Sequence, residues 1–200
     1  MKTKDIQAPM GETTVLLHTC CAPCSSAIIE AMVSSGITPV IYYCNPNIYP
    51  YEEYEIRKNE CTRYAQSLGL EIVDADYDHE NWLEAVKGLE NEPERGGRCL
   101  RCFKLRLLRT AEYARARGIK VITTTLASSR WKSLDQINEA GLWACRKVAE
   151  GPLEMTDDVV WWDRNWRKGG LQERRLQIIR EYDFYNQLYC GCEFSMKKED

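Results

Sequence analysis

Four short runs of apolar and β-branched residues punctuate the first two-thirds of the chain: TVLLHTC (14–20), TPVIYYC (38–44), LEIVDADY (70–77) and KVITTTLAS (120–128). Three of them are nearly continuous in hydrophobicity rather than alternating, the pattern of strands covered on both faces. Between and after them apolar positions recur at helical spacing, which predicts helices over about 25–34, 51–68, 80–89, 102–117 and 134–149. The fourth carries Leu105, Leu108 and Tyr113 and stops at Gly118.

This order of strand and helix predicts an α/β fold, with a parallel Rossmann-like (alpha-hydrolase-like) sheet joined by right-handed crossovers and flanked by helices. After Gly151 the texture changes. A stretch rich in tryptophan and turn residues, GPLEMTDDVVWWDRNWRKGG (151–170), precedes a helical pattern over 171–189. The chain, 1–200, reads as a single domain: a sheet core over 14–150 and a C-terminal extension over 151–200 packed on it.

Ligands of open α/β sheets sit beyond the carboxyl ends of the strands. Here those ends carry Cys20 and Cys21, then NPNIYP (45–50), then Asp76–Asp78, then TTTLASS (123–129). The chain holds ten cysteines in 200 residues. Its first residues lack the apolar core of a secretion signal, and no run reaches membrane-spanning length, so no membrane association and a cytoplasmic location are expected. In a reducing compartment such cysteine density points to metal binding or redox chemistry rather than a disulfide framework. The net charge of −3 excludes a global pull toward nucleic acid. Charge is unevenly placed, however. An acidic run over 71–94 gives way to Arg95, Arg98, Arg101, Lys104, Arg106, Arg109, Arg115 and Arg117, and a second basic stretch holds Arg164, Arg167, Lys168, Arg174, Arg175 and Arg180. Each is a candidate phosphate-binding face, although solvated helix surfaces are the commoner source of such runs.

Seven of the ten cysteines fall into three clusters. HTCCAPCSS (18–26) brings Cys20, Cys21 and Cys24 to a strand-to-helix corner, where a glycine-rich phosphate loop is common. GGRCLRCFK (96–104) supplies Cys99 and Cys102, in a loop expected to enter the fourth helix, and YCGCEF (189–194) supplies Cys190 and Cys192 around a glycine. Two thiolates at C-x-x-C spacing can chelate one ion or cluster. One structural zinc would use only four of the seven, and its ligand pairs would lie unusually far apart in sequence. Iron–sulfur binding accounts for them better: four thiolates for a [4Fe–4S] centre, and three for a second metal or a redox dithiol. Cys44, Cys61 and Cys145 stand alone within strand or helix patterns and read as structural thiols. His18 lies on the same strand face as Cys20, either as a hydrogen-bonded strand histidine or as a partner of the site.

Together HTCCAPCS, YYCNPNIYPYEEYEIR, RCLRCFKLRLLRTAEYA, TTTLASSRWKSLDQI, NWRKGG and YNQLYCGCEFS resemble, in order and from His18 to Ser195, the epoxyqueuosine reductase QueH family. The resemblance implies an oxidoreductase of the last step of queuosine biosynthesis. There the epoxide of epoxyqueuosine, at the wobble position of tRNA, is reduced to queuosine without cobalamin. It implies a [4Fe–4S] cluster and an adjacent mononuclear iron. The family's double cysteine, C-x-x-C and C-G-C fall on Cys20 and Cys21, Cys99 and Cys102, and Cys190 and Cys192. Two positions depart from the family pattern: Cys24, where some members carry Asp, and Asn165, where Asp often precedes the aromatic.

On that basis Cys20, Cys21, Cys99 and Cys102 are expected to hold the cluster. Cys190 and Cys192, with Cys24, are expected to ligate the second iron or cycle as a redox pair; exchanging Cys20 or Cys21 for one of the C-G-C pair fits the sequence equally well. An external electron donor is required. His18, Asn45, Asn47, Tyr49, Tyr54 and Arg57 are candidate contacts to the modified base or its phosphates. The basic stretches, with Trp161, Trp162 and Trp166, suit an anticodon loop whose unstacked bases rest on aromatics, although core packing accounts for at least some of the three tryptophans. Two rival readings use the same elements: an iron–sulfur tRNA thiolation enzyme of the ATP-using alpha-hydrolase type, and a zinc-stapled RNA-binding module. The first is weakened by the absence of glycine from CCAPCSS.

Overall fold

All four apolar runs form strands in the computed structural model, which describes residues 6–150 and 158–196. They are β1 (Thr14–His18), β2 (Thr38–Tyr43), β3 (Ile72–Asp74) and β4 (Val121–Thr124). A fifth strand, β5 (Val160–Trp161), comes from the C-terminal extension, where the sequence predicts none. The sheet is wholly parallel, in the order β3-β2-β1-β4-β5. The central strands are unbroken in hydrophobicity because both faces are covered: Val15, Leu16, Leu17, Val121 and Ile122 are fully buried. The helices are α1 (Ala22–Ser34), α2 (Tyr51–Ser67), α3 (His79–Val86), α4 (Gly97–Ala116), α5 (Leu134–Ala149) and α6 (Leu171–Tyr182). The first, second and last pack together, as do the other three, and these two groups flank the sheet. No helix among the described residues is long and apolar enough to cross a membrane.

The connectivity positions the site. From β1 the chain winds outward through β2 to β3, then returns through α4 to β4 on the other side of β1. Strand order therefore reverses between β1 and β4, and at such a point the diverging loops open a crevice at the carboxyl ends. Cys20 and Cys21 leave β1 at that crevice.

Two element boundaries differ from expectation. Helix α4 begins at Gly97, not near 102, because the Glu92 carboxylate takes up the free N–H of Gly97 in its first turn. Cys99 and Cys102 thus sit on the helix itself, three residues apart and on one face. Helix α6 stops at Tyr182 instead of continuing to 189. Asp183 is left-handed (φ 49°), which turns Phe184 inward to pack edge-on against Tyr64 at 5.3 Å. The following residues become a loop that carries Cys190 and Cys192 back over the sheet.

The tryptophans of the extension are core residues, which corrects their expected role as stacking surfaces for bases. Trp161, Trp162 and Trp166 are all buried. Trp166 donates its indole N–H to Thr123 Oγ1 at 3.2 Å and meets Trp162 edge-on at 5.2 Å. Trp161 lies against Gly141 of α5, where a Cβ would clash directly with the indole. Large aromatic surfaces at the sheet edge bury more area than smaller residues could, and that gain holds the extension on the core. A bidentate Arg174–Glu30 pair, at 2.8 Å for each bond, joins α6 to α1. The first part of GPLEMTDDVV, residues 151–157, lies outside the described residues.

Candidate functional site

Cys21 is extended and caps α1, and Cys24 follows on the helix's first turn, so the corner folds three thiols together. The Sγ atoms of Cys20, Cys21 and Cys24 all lie within 4.8 Å of one another, the only such group of potential metal ligands among the described residues. Cys20 Sγ lies 3.8 Å from Cys21 Sγ and 3.4 Å from Thr125 Oγ1, just past β4. The Cys20 N–H donates to the same hydroxyl at 3.2 Å, tying the corner across the crevice. Gln187 donates its amide to Cys21 Sγ at 3.2 Å and to Cys24 Sγ at 3.8 Å. Hydrogen bonds from Cys21 and Cys24 hold Cys20 well below the ordinary thiol range. Burial pushes Cys21 upward, and hydrogen bonding to Cys20 lifts Cys24 to about 12. The corner is therefore a compact set of three sulfurs, which a cation would complete as a donor set by displacing thiol protons.

Cys20 and Cys24 open into a cavity of about 1070 Å³ that Cys99, Cys102, Cys190 and Cys192 also line; Cys21 is buried beside it. Six of the seven clustered thiols thus converge from three separate segments. The C-terminal loop is pinned in place by several bonds. Tyr49 N–H donates to Gly191 O at 2.8 Å, and Arg57 donates to the carbonyls of Cys190 (3.4 Å) and Tyr189 (3.3 Å). Gly191 takes φ 110°, and a side chain there would press on Ile48 and the Arg57 guanidinium. Cys102 and Cys192 share an apolar cluster with Trp82 and Val86, and burial raises Cys192 to about 12. Burial likewise raises Cys99.

Of the candidate substrate contacts, Asn45, Asn47 and Arg57 line the cavity, whereas His18 and Tyr54 do not. Tyr54 is buried and donates to Asp74 at 2.5 Å, closing β3 against α2. Arg57 is buried and paired with Glu53 at 2.7 Å, so it fastens the C-G-C loop rather than offering a free charge. Tyr49 contributes its backbone to the same fastening. Cys24 is brought beside Cys20 and Cys21, where the expectation grouped it with Cys190 and Cys192. Cys44, Cys61 and Cys145 are buried and do not line the cavity, as structural thiols should be. Asp78 caps α3 and pairs with Arg109, and neither lines the cavity.

His18 is fully buried in the sheet and welds three strands. Its Nε2–H donates to Cys44 O at 3.0 Å, and its Nδ1 accepts from Thr124 Oγ1 at 2.7 Å. Burial, and then the nearby Arg106 charge, lower it to about 3, so it stays neutral in the native protein. An unfolded histidine takes up its proton near 6.5. The neutral buried ring therefore contributes fully above that value, and its contribution is lost as pH falls from 6.5 toward 3, at about 1.4 kcal/mol per pH unit. Between neutral pH and about pH 5 the wild type should lose roughly 2 kcal/mol more than His18→Gln. Urea unfolding of both proteins at the two pH values measures this; equal losses would sink the assignment.

Three residues at the thiols were not singled out from sequence. Arg106 is buried without a carboxylate partner; it donates to Cys44 O (3.1 Å) and Asn45 Oδ1 (2.5 Å) and lies 3.9 Å from Cys102 Sγ. In sequence it is one more member of a basic run. Lys132 donates to Cys190 Sγ at 3.5 Å, and Gln187 serves the triad; neither belongs to a motif of its own. Among the described residues that line the cavity, eight are cationic and one, Glu94, is a carboxylate. Not all are free: Arg98 is spent on the carbonyls of Leu89, Glu90 and Glu92. Buried polar atoms of Asn47, Trp82, Arg167 and Gln187 have no hydrogen-bond partner, and all four residues line this cavity. Orphaned polar atoms gathered in one place fit a site that takes up water, an ion or a polar ligand.

A family model described as epoxyqueuosine reductase QueH matches residues 15–198. Curated proteins of that name are similar over nearly the whole chain. The protein of Histophilus somni is 47% identical over 192 residues, covering 96% of this chain and 76% of its own length. That of Haemophilus influenzae is also 47% identical, covering 96% and 75%. The Thermotoga maritima protein is 34% identical over 186 residues, covering 92% and 90%.

Proposed function

The chain belongs to the epoxyqueuosine reductase QueH family and is an oxidoreductase, and we propose that it removes the epoxide oxygen of epoxyqueuosine at the wobble position of tRNA, giving queuosine. The observation that carries this reading is the convergence of six thiols on one cavity at the strand-order reversal. The rival readings, a thiolation enzyme and a zinc-stapled module, are unsupported: the relatives are named as reductases.

The reaction takes up two electrons and two protons, and the epoxide oxygen leaves as water. We assign Cys20, Cys21, Cys99 and Cys102 to a [4Fe–4S] cluster, with an additional mononuclear iron among the remaining donors, Cys24, Cys190 and Cys192. Six thiols lining one cationic cavity, with orphaned polar groups beside them, suit thiolate-held metal; Cys24, which stands with Cys20 and Cys21, is the donor shared between the two assignments. When bound, such a centre supplies electrons one at a time, and a further iron supplies Lewis acidity toward an oxygen ligand. The chain's own residues do the rest. Arg57 and the Tyr49 backbone hold the C-G-C loop over the cavity. Asn47 offers its unpartnered Oδ1 to a donor on the substrate, while Asn45, held by Thr19 and Arg106, shapes the cavity wall. Electrons come from an external donor, and the cytoplasm, where thiols stay reduced, is the compartment that suits this chemistry.

Iron-replete protein, reduced anaerobically and mixed with epoxyqueuosine-containing tRNA, should yield queuosine on nucleoside mass analysis; unchanged epoxyqueuosine would overturn the proposal. Because the mouth is cationic, tRNA affinity should fall about tenfold or more between ~0.1 and ~0.3 M salt. Filter binding across that range tests it, and a flat response would remove the phosphate contacts from the reading.

A further inference from the structure

With Trp161, Trp162 and Trp166 in the core, the tryptophan that the protein leaves open is a different one. Trp131 is 66% exposed and lines the mouth of the thiol cavity. Trp82 is buried with the other three, and Trp143 is partly covered beside Lys104. An indole carries one of the largest apolar surfaces of any side chain, so leaving it in water forfeits stabilisation that burial would supply.

The segment bearing Trp131 is nevertheless held in position. Arg95 donates from Nε to Trp131 O at 2.9 Å and from Nη2 to Arg130 O at 3.1 Å. Trp131 N–H bonds Ser129 Oγ at 3.3 Å, and Gln136 fixes Arg95 in turn through its carbonyl at 2.8 Å. The Arg130 guanidinium lies over one face of the indole, 5.0 Å from its centroid, which places a cation on the ring while most of the residue stays exposed. The next residue, Lys132, reaches Cys190 Sγ, so the exposed ring and the thiols are joined by one step of chain. An aromatic ring held open, flanked by a guanidinium, at the mouth of a cavity lined by cations is a surface for an unstacked nucleobase and its phosphate.

We propose that Trp131 is the stacking platform for an anticodon-loop nucleotide next to the modified one, with Arg130 on the adjoining phosphate. The proposal deepens the tRNA reading above and rests on it. A base stacked there would hold the loop against the mouth while its neighbour enters the thiol cavity. It also explains why the chain fastens an exposed tryptophan instead of burying it.

The test uses anaerobic holoenzyme and an anticodon stem–loop RNA, comparing wild type with Trp131→Phe and Trp131→Ala. Stacking predicts an affinity loss of about 10- to 100-fold for Trp131→Ala and near-retention for Trp131→Phe. On epoxyqueuosine-containing tRNA the alanine loss should appear in KM rather than kcat. Wild-type tryptophan fluorescence should be quenched by the RNA, and the quench should vanish in Trp131→Phe. If Trp131→Ala binds within twofold of a wild type that forms queuosine, the platform is overturned and the function stands. If the wild type itself neither binds nor reduces the tRNA, the functional reading falls, and the platform with it.

Discussion

Cys20→Ala is expected to lose its iron and to form queuosine at least ~100-fold more slowly, while keeping its fold. A change in a residue that only orients a metal ligand typically costs 10- to 100-fold, so loss of a direct donor should exceed that range. Cys20 is the member of the triad whose thiol is pulled below its ordinary range by hydrogen bonds from the other two, and it also opens into the cavity. Its backbone N–H bond to Thr125 does not need the side chain, so the corner should survive the change. Cys145→Ala is the matched control. That thiol is buried on α5 and does not line the cavity. Its loss should cost on the order of 1 kcal/mol in stability and leave iron and activity in place. Iron and sulfide per chain, with nucleoside mass analysis, separate the two. Full iron and full activity in Cys20→Ala would remove the triad from the proposed site.

Trp166→Ala is expected to destabilise the protein by about 3–5 kcal/mol, the cost of removing a fully buried indole from a packed core. The ring is closed off completely, stacks edge-on with Trp162 and hydrogen-bonds Thr123 on the inner strand β4. Removing it therefore opens a void at the joint between the extension and the sheet. Arg164, whose charge lies 5.0 Å from this ring and 5.8 Å from that of Trp162, would lose one of its two aromatic partners as well. Denaturant unfolding monitored by circular dichroism gives the number. A loss below about 1 kcal/mol would mean that the extension is only loosely seated.

Much of this was legible along the chain. The four apolar runs are strands because a strand buried on both faces must be apolar throughout, and that needs no knowledge of neighbours. The thiol clusters were legible for a similar reason: C-C-x-x-C and C-x-x-C are local spacings, and a turn or helix brings such sulfurs together wherever it lies in the fold. Strand β5 was missed because two residues are too few to show a period. The start of α4 was misplaced because a glutamate five residues upstream, not a local cap, serves its first turn.

The amino-acid order alone determined the parallel α/β architecture, the cysteine inventory and the family. Only the folded chain decided what each charged, aromatic or imidazole side chain faces. Arg106 and Arg109 share one basic run, yet the first is buried against Asn45 and Cys44 while the second pairs with Asp78. Trp131 and Trp166 share a residue type, yet one is open at the cavity mouth and the other closed in the core. His18 and Cys20 stand two residues apart, yet the ring is consumed by Cys44 and Thr124 and never reaches the cavity. The deciding partners lie far away in sequence: 61 residues for Arg106 and Asn45, 106 for His18 and Thr124, 166 for Gln187 and Cys21. Local pattern encodes how a segment folds, whereas burial and pairing are set by the segments that topology places against it.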